Sequence, residues 1–565
     1  MPSNRTILSF LLIPILAITA ARIYALAVNY RKARKLGIPI VVVPVSWQDA
    51  FWVLAHPHLR RFRKVPGLRN IINFGHHSWA QDDRYRPHQE HGDIFAIVSP
   101  GTTEIAVNDP TLAVDVQSHW RTWQKPPPVY EIFDVFGPNV ISLNGEDWQR
   151  HRRIANPAFR EQNNKLVWDE SSRQANQMVQ VMMDRASGAG RTMLQVRDDC
   201  VLIAMHVLSA AGFGHLHEFD GGFREIPKGH NTSLAEALKY LLQNIIFGII
   251  LKNIPVLRWV FPRSYQELTA MRNEFTQYMR ELIAYNRAIT QGGGSSKSAD
   301  IVSALVEADE AAKRDHKAAA HGSKPNHLTD AELLGDLFIF NLAGFETTAN
   351  ALTYTLPFLA TNRSVQDWVG EEIDMVLKGQ EPGKSDYEET FPSLVRCLAL
   401  MYETLRLWGP VSQTNRWCVG EPCSLRIGDK EVEVPPETYV TLNVYAVHSD
   451  PRWWGKDNLE WKPQRWITTD PKTGKEMIAP PPTGTTFVPW SAGPRICPGK
   501  KFSQVEFVAV ISTLLKEYRL EPMALEGKTK EEAGAALIEV LEDSMNVITP
   551  KMRRPEDAGV VFVKR

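Results

Sequence analysis

The stretch Trp490-Ser-Ala-Gly-Pro-Arg-Ile-Cys-Pro-Gly499 carries one cysteine, Cys497, in surroundings suited to a thiolate. Gly493 and Gly499 permit tight or left-handed backbone on both sides of the sulfur. Pro494 and Pro498 remove backbone freedom and donors, so the loop is stiff and its few N–H groups can be aimed at the sulfur. Arg495, two residues earlier, is a permanent cation suited to a carboxylate. The plainer alternative is a buried free cysteine, a common fate of this residue. A thiolate on haem iron, by contrast, pushes electron density onto the metal and favours O–O cleavage.

Three further constellations could do chemistry, and each needs a helix to place it. Thr329-Asp-Ala-Glu332 reads as a capping box, and the apolar pattern from there predicts a helix to about Ala360, roughly 45 Å long at 1.5 Å per residue. Near its middle lies Ala343-Gly-Phe-Glu-Thr-Thr348. Gly344 costs stability in a helix interior and so suggests close approach to the backbone. Glu346 and Thr347 put an acid and an alcohol into an apolar helix, which makes them functional candidates. The alternative is a threonine bonded back to the preceding turn and a glutamate reaching solvent. In Gly145-Glu-Asp-Trp-Gln-Arg-His-Arg-Arg153, Trp148 and Arg152 stand four apart on one helical face, a clamp for a carboxylate. Glu403 and Arg406, three apart in a helical pattern from Ser393 to Leu407, can pair along one face. His448 reads as a structural histidine rather than a ligand.

Gly493, Arg495, Cys497 and Gly499, with Trp490 where the family usually has Phe, resemble the cysteine-ligand signature of the cytochrome P450 family, the haem-thiolate monooxygenases. The resemblance implies one large, mainly helical domain with small peripheral β-sheets, holding haem b on Cys497. It makes Trp148 and Arg152 partners of the haem propionates, joined by Arg495 and Arg416. It places Ala343 and Gly344 against the haem, makes Glu346 and Thr347 the proton relay for O–O scission, and gathers Glu403, Arg406 and Arg465 into a buried ionic cluster. It makes the segment from Lys125 to Ile141 a cap over the substrate. It further implies insertion of one atom of O2 into a lipophilic small molecule, with electrons from NADPH through a separate reductase and cytochrome b5 as an optional second donor. Two rivals are a haem-thiolate isomerase or dehydratase and a non-catalytic membrane haem sensor; the Glu346-Thr347 pair speaks against both.

The chain has 565 residues with Lys+Arg and Asp+Glu both 64, and no basic stripe, which argues against a nucleic-acid partner. Five irregularly spaced cysteines show no disulfide framework and suggest a reducing compartment. Ile7 to Ala21, continued by Ile23 to Val28, gives about 22 mostly apolar residues, near the length that spans a bilayer. Arg31, Lys32, Arg34 and Lys35 follow and put the remainder on the cytosolic side. Residues 1–28 are thus expected to anchor the chain in membrane lipid, 29–46 to link, and 47–565 to form the haem domain, at the endoplasmic reticulum in secondary metabolism. A cleaved signal peptide is the alternative.

Overall fold

The computed structural model describes residues 4–186, 193–221, 226–291, 300–318, 325–380, 385–546 and 549–565. The described residues gather into two compact units, each drawn from separate stretches of the chain. One comprises Met1–Val129, Val411–Glu460 and Pro480–Ile496, the other Tyr130–Pro410, Trp461–Ala479 and Cys497–Arg565.

The first unit opens with helix α1 (Asn4–Arg34) and is built on strands β1 (Ile40–Val42), β2 (Ile94–Val98), β3 (Thr103–Val107), β4 (Gln413–Arg416), β5 (Cys423–Ile427), β6 (Lys430–Val434) and β7 (Tyr439–Asn443). Five of them form one sheet in the order β1-β2-β3-β7-β4. β1 runs parallel to β2 and β3 parallel to β7, while β2–β3 and β7–β4 are antiparallel. β3 and β7 are buried along their whole length, the polar residues Glu104, Thr441 and Asn443 included. β5 and β6 form a separate hairpin, so the prolines at 435 and 436 divide two sheets rather than two strands of one. The expectation of no disulfide is corrected here: Cys418 and Cys423 are bonded, with Cα atoms 5.9 Å apart. The register of the hairpin is the reason. It sets Cys423 opposite Val434, whose carbonyl also meets Cys418 Sγ, and no spacing rule in the sequence announces that return.

α1 is a single helix of 31 residues through the apolar N-terminal stretch. The side chains of residues 4–12 and 14 lie outside the described ones, and among the described residues no helix is long and apolar enough to cross a membrane. The later turns of α1 pack on the sheet instead. Arg22 pairs with Asp49 at 2.7 Å, Asn29 donates to Ser99 O at 2.9 Å, and Leu26 and Ala33 pack with Ala96 and Val98.

The second unit is helical. Its principal helices are α2 (Gly145–Ala155), α3 (Val196–Phe213), α4 (Pro262–Gln291), α5 (Asp330–Thr361), α6 (Val395–Trp408) and α7 (Lys500–Glu517). α5 runs 32 residues, and both bonds of the Thr329/Glu332 capping box are present. α5 and α7 are buried on nearly every side, polar residues such as Asp336 and Glu506 included. The β-structure is peripheral: Tyr518–Pro522, Gly559–Lys564 and Met193–Gln195 form one small sheet, and Ser544–Asn546 with Pro550–Met552 a hairpin. One helix, Ile301–Ala318, stands in the polar region before α5; the flanking loops at 292–299 and 319–324 lie outside the described residues. The fold class is therefore mainly α with small sheets.

Candidate active site

In the second unit Cys497 precedes α7, whose first residue is Lys500. The sulfur is solvent-accessible yet deeply set. Burial pushes the thiol up, while the Gly499 N–H and the Arg152 guanidinium pull it back towards the thiolate. Gly499 has ordinary backbone angles, and a Cβ there would stand at ordinary contact distance, 3.9 Å, from both Cys497 Sγ and Phe159. α2 carries buried Trp148 and, one turn on, half-buried Arg152, whose guanidinium is lowered by its own burial and favoured by the Cys497 charge. The two share one face of α2, as their spacing predicts.

In the first unit, Gly493 has φ +66°, and a Cβ would meet Gln117 O and Ser118 Cα at 2.9 Å, so only glycine fits the turn before Arg495. Gln117 Oε1 fixes the same turn by accepting from Ser491 Oγ at 2.5 Å and Ala492 N–H at 2.7 Å. Trp490 meets Phe487 edge-on, their centroids 6.3 Å apart. Arg416 ends β4 and is buried, donating to Asn415 O at 2.9 Å. Lys125, which the sequence did not single out, joins Arg495 and Arg416. Burial and then the two guanidiniums hold its ammonium well below the usual lysine range. One lysine before a run of prolines carries no signal that separates it from a surface lysine. His448 is structural: its Nε2 accepts from the Val488 N–H at 2.9 Å.

α5 departs from the simplest expectation at both relay residues. Thr347 Oγ1 donates to Ala343 O at 2.8 Å, the bond to the preceding turn open to any helical threonine. Glu346 is neither orphaned nor fully enclosed. It accepts from Thr549 Oγ1 at 3.0 Å and stands 3.5 Å from Lys551 Nζ, both brought in by the C-terminal hairpin. It also lines a cavity of about 480 Å³ with Arg197, Lys239, Asn350 and Tyr354. The space left by Gly344 is used by α3, since a Cβ there would lie 3.2 Å from Leu208 Cδ1. Behind α5, Glu506 on α7 is buried beside Thr348, and burial pushes its carboxyl well above the usual carboxylate range.

Glu403, Arg406 and Arg465 meet in one buried cluster. Arg406 makes a fork to Glu403 with both bonds at 2.8 Å, and Arg465 Nε donates to Glu403 Oε1 at 2.9 Å. The Lys462 N–H and the Trp466 indole complete the shell at 2.9 and 3.0 Å.

In the first unit Lys125, Arg416 and Arg495 group as donors suited to a carboxylate. In the second, the indole and guanidinium of Trp148 and Arg152 suit another, and Cys497, within electrostatic reach of Arg152, offers one soft ligand. A model of the cytochrome P450 family matches residues 63–544. A cytochrome P450 monooxygenase of Arthrobotrys oligospora is 29% identical over 565 residues, covering 93% of each chain. A phomenoic acid biosynthesis cluster cytochrome P450 monooxygenase of Leptosphaeria maculans is also 29% identical, covering 94% of this chain and 93% of its own. Among solved structures, a cytochrome P450 (CYP102L1) shares the fold with a TM-score of 0.64 at 19% identity, over 85% of this chain and 97% of its own. With the thiolate loop, the long helix and the ionic cluster all inside the matched span, the chain belongs to the cytochrome P450 family and is a monooxygenase of it.

Proposed function

We propose that the protein is a membrane-bound monooxygenase that holds haem b on Cys497 and draws electrons from NADPH through a separate reductase, with cytochrome b5 as an optional second donor. Its substrate is a lipophilic small molecule of secondary metabolism. The observation that carries this is Cys497 itself, an accessible thiol just before α7, with the Gly499 N–H and Arg152 favouring its anion against the desolvation that raises it. When bound, the haem supplies the iron at which O2 is reduced and one oxygen atom is passed to the substrate. The chain's own residues do the rest. Trp148 and Arg152 of the second unit, and Arg416, Arg495 and Lys125 of the first, would each offer donors to the haem carboxylates, and Pro494 and Pro498 keep the thiolate loop stiff. Because Thr347 spends its hydrogen on Ala343 O, its oxygen presents lone pairs and holds a water as an acceptor. Glu346, on the wall of its cavity, takes protons from solvent and is steadied between deliveries by Thr549 and Lys551.

Thr347→Ala tests the relay. With reductase and NADPH present, haem content and ligand binding are expected to stay, while product per NADPH falls about tenfold or more and peroxide rises to match. Unchanged coupling counts against the relay.

The membrane reading rests on the apolar start of α1, where Ile13, Ile15, Leu16 and Ile18 are exposed, and on the second unit's Trp259, 87% exposed beside Arg258. A relative named for an acid biosynthesis cluster supports a secondary-metabolic substrate. Because Arg22, Leu26, Asn29 and Ala33 pack on the sheet, deleting residues 1–21 is expected to release an intact protein from membranes. Deleting 1–34 should also lower thermal stability. Membrane retention of the shorter deletion counts against the anchor.

A further inference from the structure

Asp336, two turns before Gly344 on α5, is fully buried and binds two other elements of its unit at once. Its Oδ1 accepts from the Val140 N–H at 2.8 Å, and its Oδ2 meets His151 Nδ1 on α2 at 2.7 Å. The contact is a close one between backbones as well. A Cβ on Gly335 would lie 2.5 Å from Pro138 O, and a Cβ on Gly137, whose φ is +152°, 2.2 Å from Ala331 O. Phe136 sits beside Phe275 of α4 and Phe338 of α5, with centroids 4.7 and 4.8 Å away. The segment from Phe136 to Ser142 is therefore seated on α5 by glycine packing and by one side-chain acceptor, and that acceptor is held by one histidine.

We infer that His151 and Asp336 form a latch that positions the Phe136–Ser142 segment on α5, and that undoing it is what lets a ligand leave and enter beneath that segment. The second half rests on reading the segment as the substrate cap. No bond to the reacting atoms is involved, so both are positioning residues.

The charges around His151 set when the latch holds. Glu332 of α5 stands 3.4 Å from Nε2 and is itself held by Arg150 of α2 at 2.7 Å; Asp134 of the capping segment adds a more distant charge. The helix Ile301–Ala318, packed beside α2, turns its Asp309 to the Leu328 N–H and to Lys313 instead. Burial disfavours the imidazolium, but the bonds and charges of Asp336 and Glu332 outweigh it and hold His151 at about 9. Burial pushes the Asp336 carboxyl up, against the imidazolium and the Val140 N–H, which favour its anion. Since the folded-state value lies above the ordinary one, the latch is whole below about pH 6.5 and is lost as pH rises through about 9.

The test uses the full-length, haem-loaded protein. Backbone hydrogen exchange in the peptide covering residues 136–142 is compared with its intrinsic chemical rate for wild type and His151→Gln. Release of a long-chain N-alkyl imidazole, read by the Soret shift, is followed in parallel. The expected result is about tenfold faster exchange and release in His151→Gln near neutral pH, with the two proteins converging near pH 10. Haem content and exchange elsewhere should not change. Equal exchange in the two proteins at neutral pH overturns the latch. Exchange that moves while ligand release does not leaves the latch standing and overturns the capping reading beneath it. Should the variant fail to fold, the wild-type pH series decides alone: a protection factor for 136–142 that stays flat from pH 7 to 10 overturns the proposal.

Discussion

Replacing Cys497 by serine is expected to abolish the strongly red-shifted carbon monoxide band of the reduced protein and to cut product formation by about a thousandfold or more. The substitution changes one atom, and the loop's shape does not depend on it. Gly493 is held in its left-handed turn by Gln117, and Pro494 and Pro498 restrict the backbone on either side. What is lost is the ability to carry charge. Burial raises the thiol, and the Gly499 N–H and Arg152 favour its anion against that burial. A serine hydroxyl in the same place is far from ionisation at neutral pH, so the same donors have no anion to stabilise. Haem that remains bound, with the red-shifted band gone, shows that Cys497 is the ligand. Retention of that band in the variant would remove the foundation of the proposed function.

Glu403→Ala is expected to be the most damaging change to the fold. Glu403 receives two bonds from Arg406, one from Arg465, one from the Lys462 N–H and one from the Trp466 indole, all in a setting where Glu403 and Arg406 are fully buried. Alanine leaves the Arg406 guanidinium buried without its counter-charge, which costs about 3–5 kcal/mol. Against a typical total of about 5–15 kcal/mol, that is a large share. The expected outcome is little haem-loaded soluble protein and a much lower melting temperature. Glu403→Gln keeps acceptor oxygen and shape and should fall between the two. A melting temperature within a few degrees of wild type for Glu403→Ala would show that the cluster is not a structural keystone.

The contrast between residues legible in the sequence and those hidden from it follows from distance along the chain. Thr329 and Glu332 cap α5, Trp148 and Arg152 share a face, and Glu403 and Arg406 pair because helical geometry fixes what stands three or four residues apart. Gly493 adopts its positive φ because no side chain fits there, and that too is written locally. The cysteine loop, the mainly helical class and the family are therefore legible in the order of residues alone.

Tertiary structure decided everything that depended on a partner from elsewhere in the chain. Nothing near His151 announces Asp336, 185 residues away, nor does anything near Glu346 announce Thr549, 203 residues on. Lys125 gains its meaning only when folding sets it against Arg416 and Arg495, and Cys418 meets Cys423 only because a hairpin returns to the same valine. Thr347 shows the limit most plainly. Its place in the motif is evident, but its hydrogen goes to the Ala343 carbonyl one turn below, which only the folded helix sets within reach. Sequence determines which groups are available and which local geometries they must take. Only the fold, by bringing distant groups together out of water, decides which charges are paired, which protons are held, and which segments are fastened down.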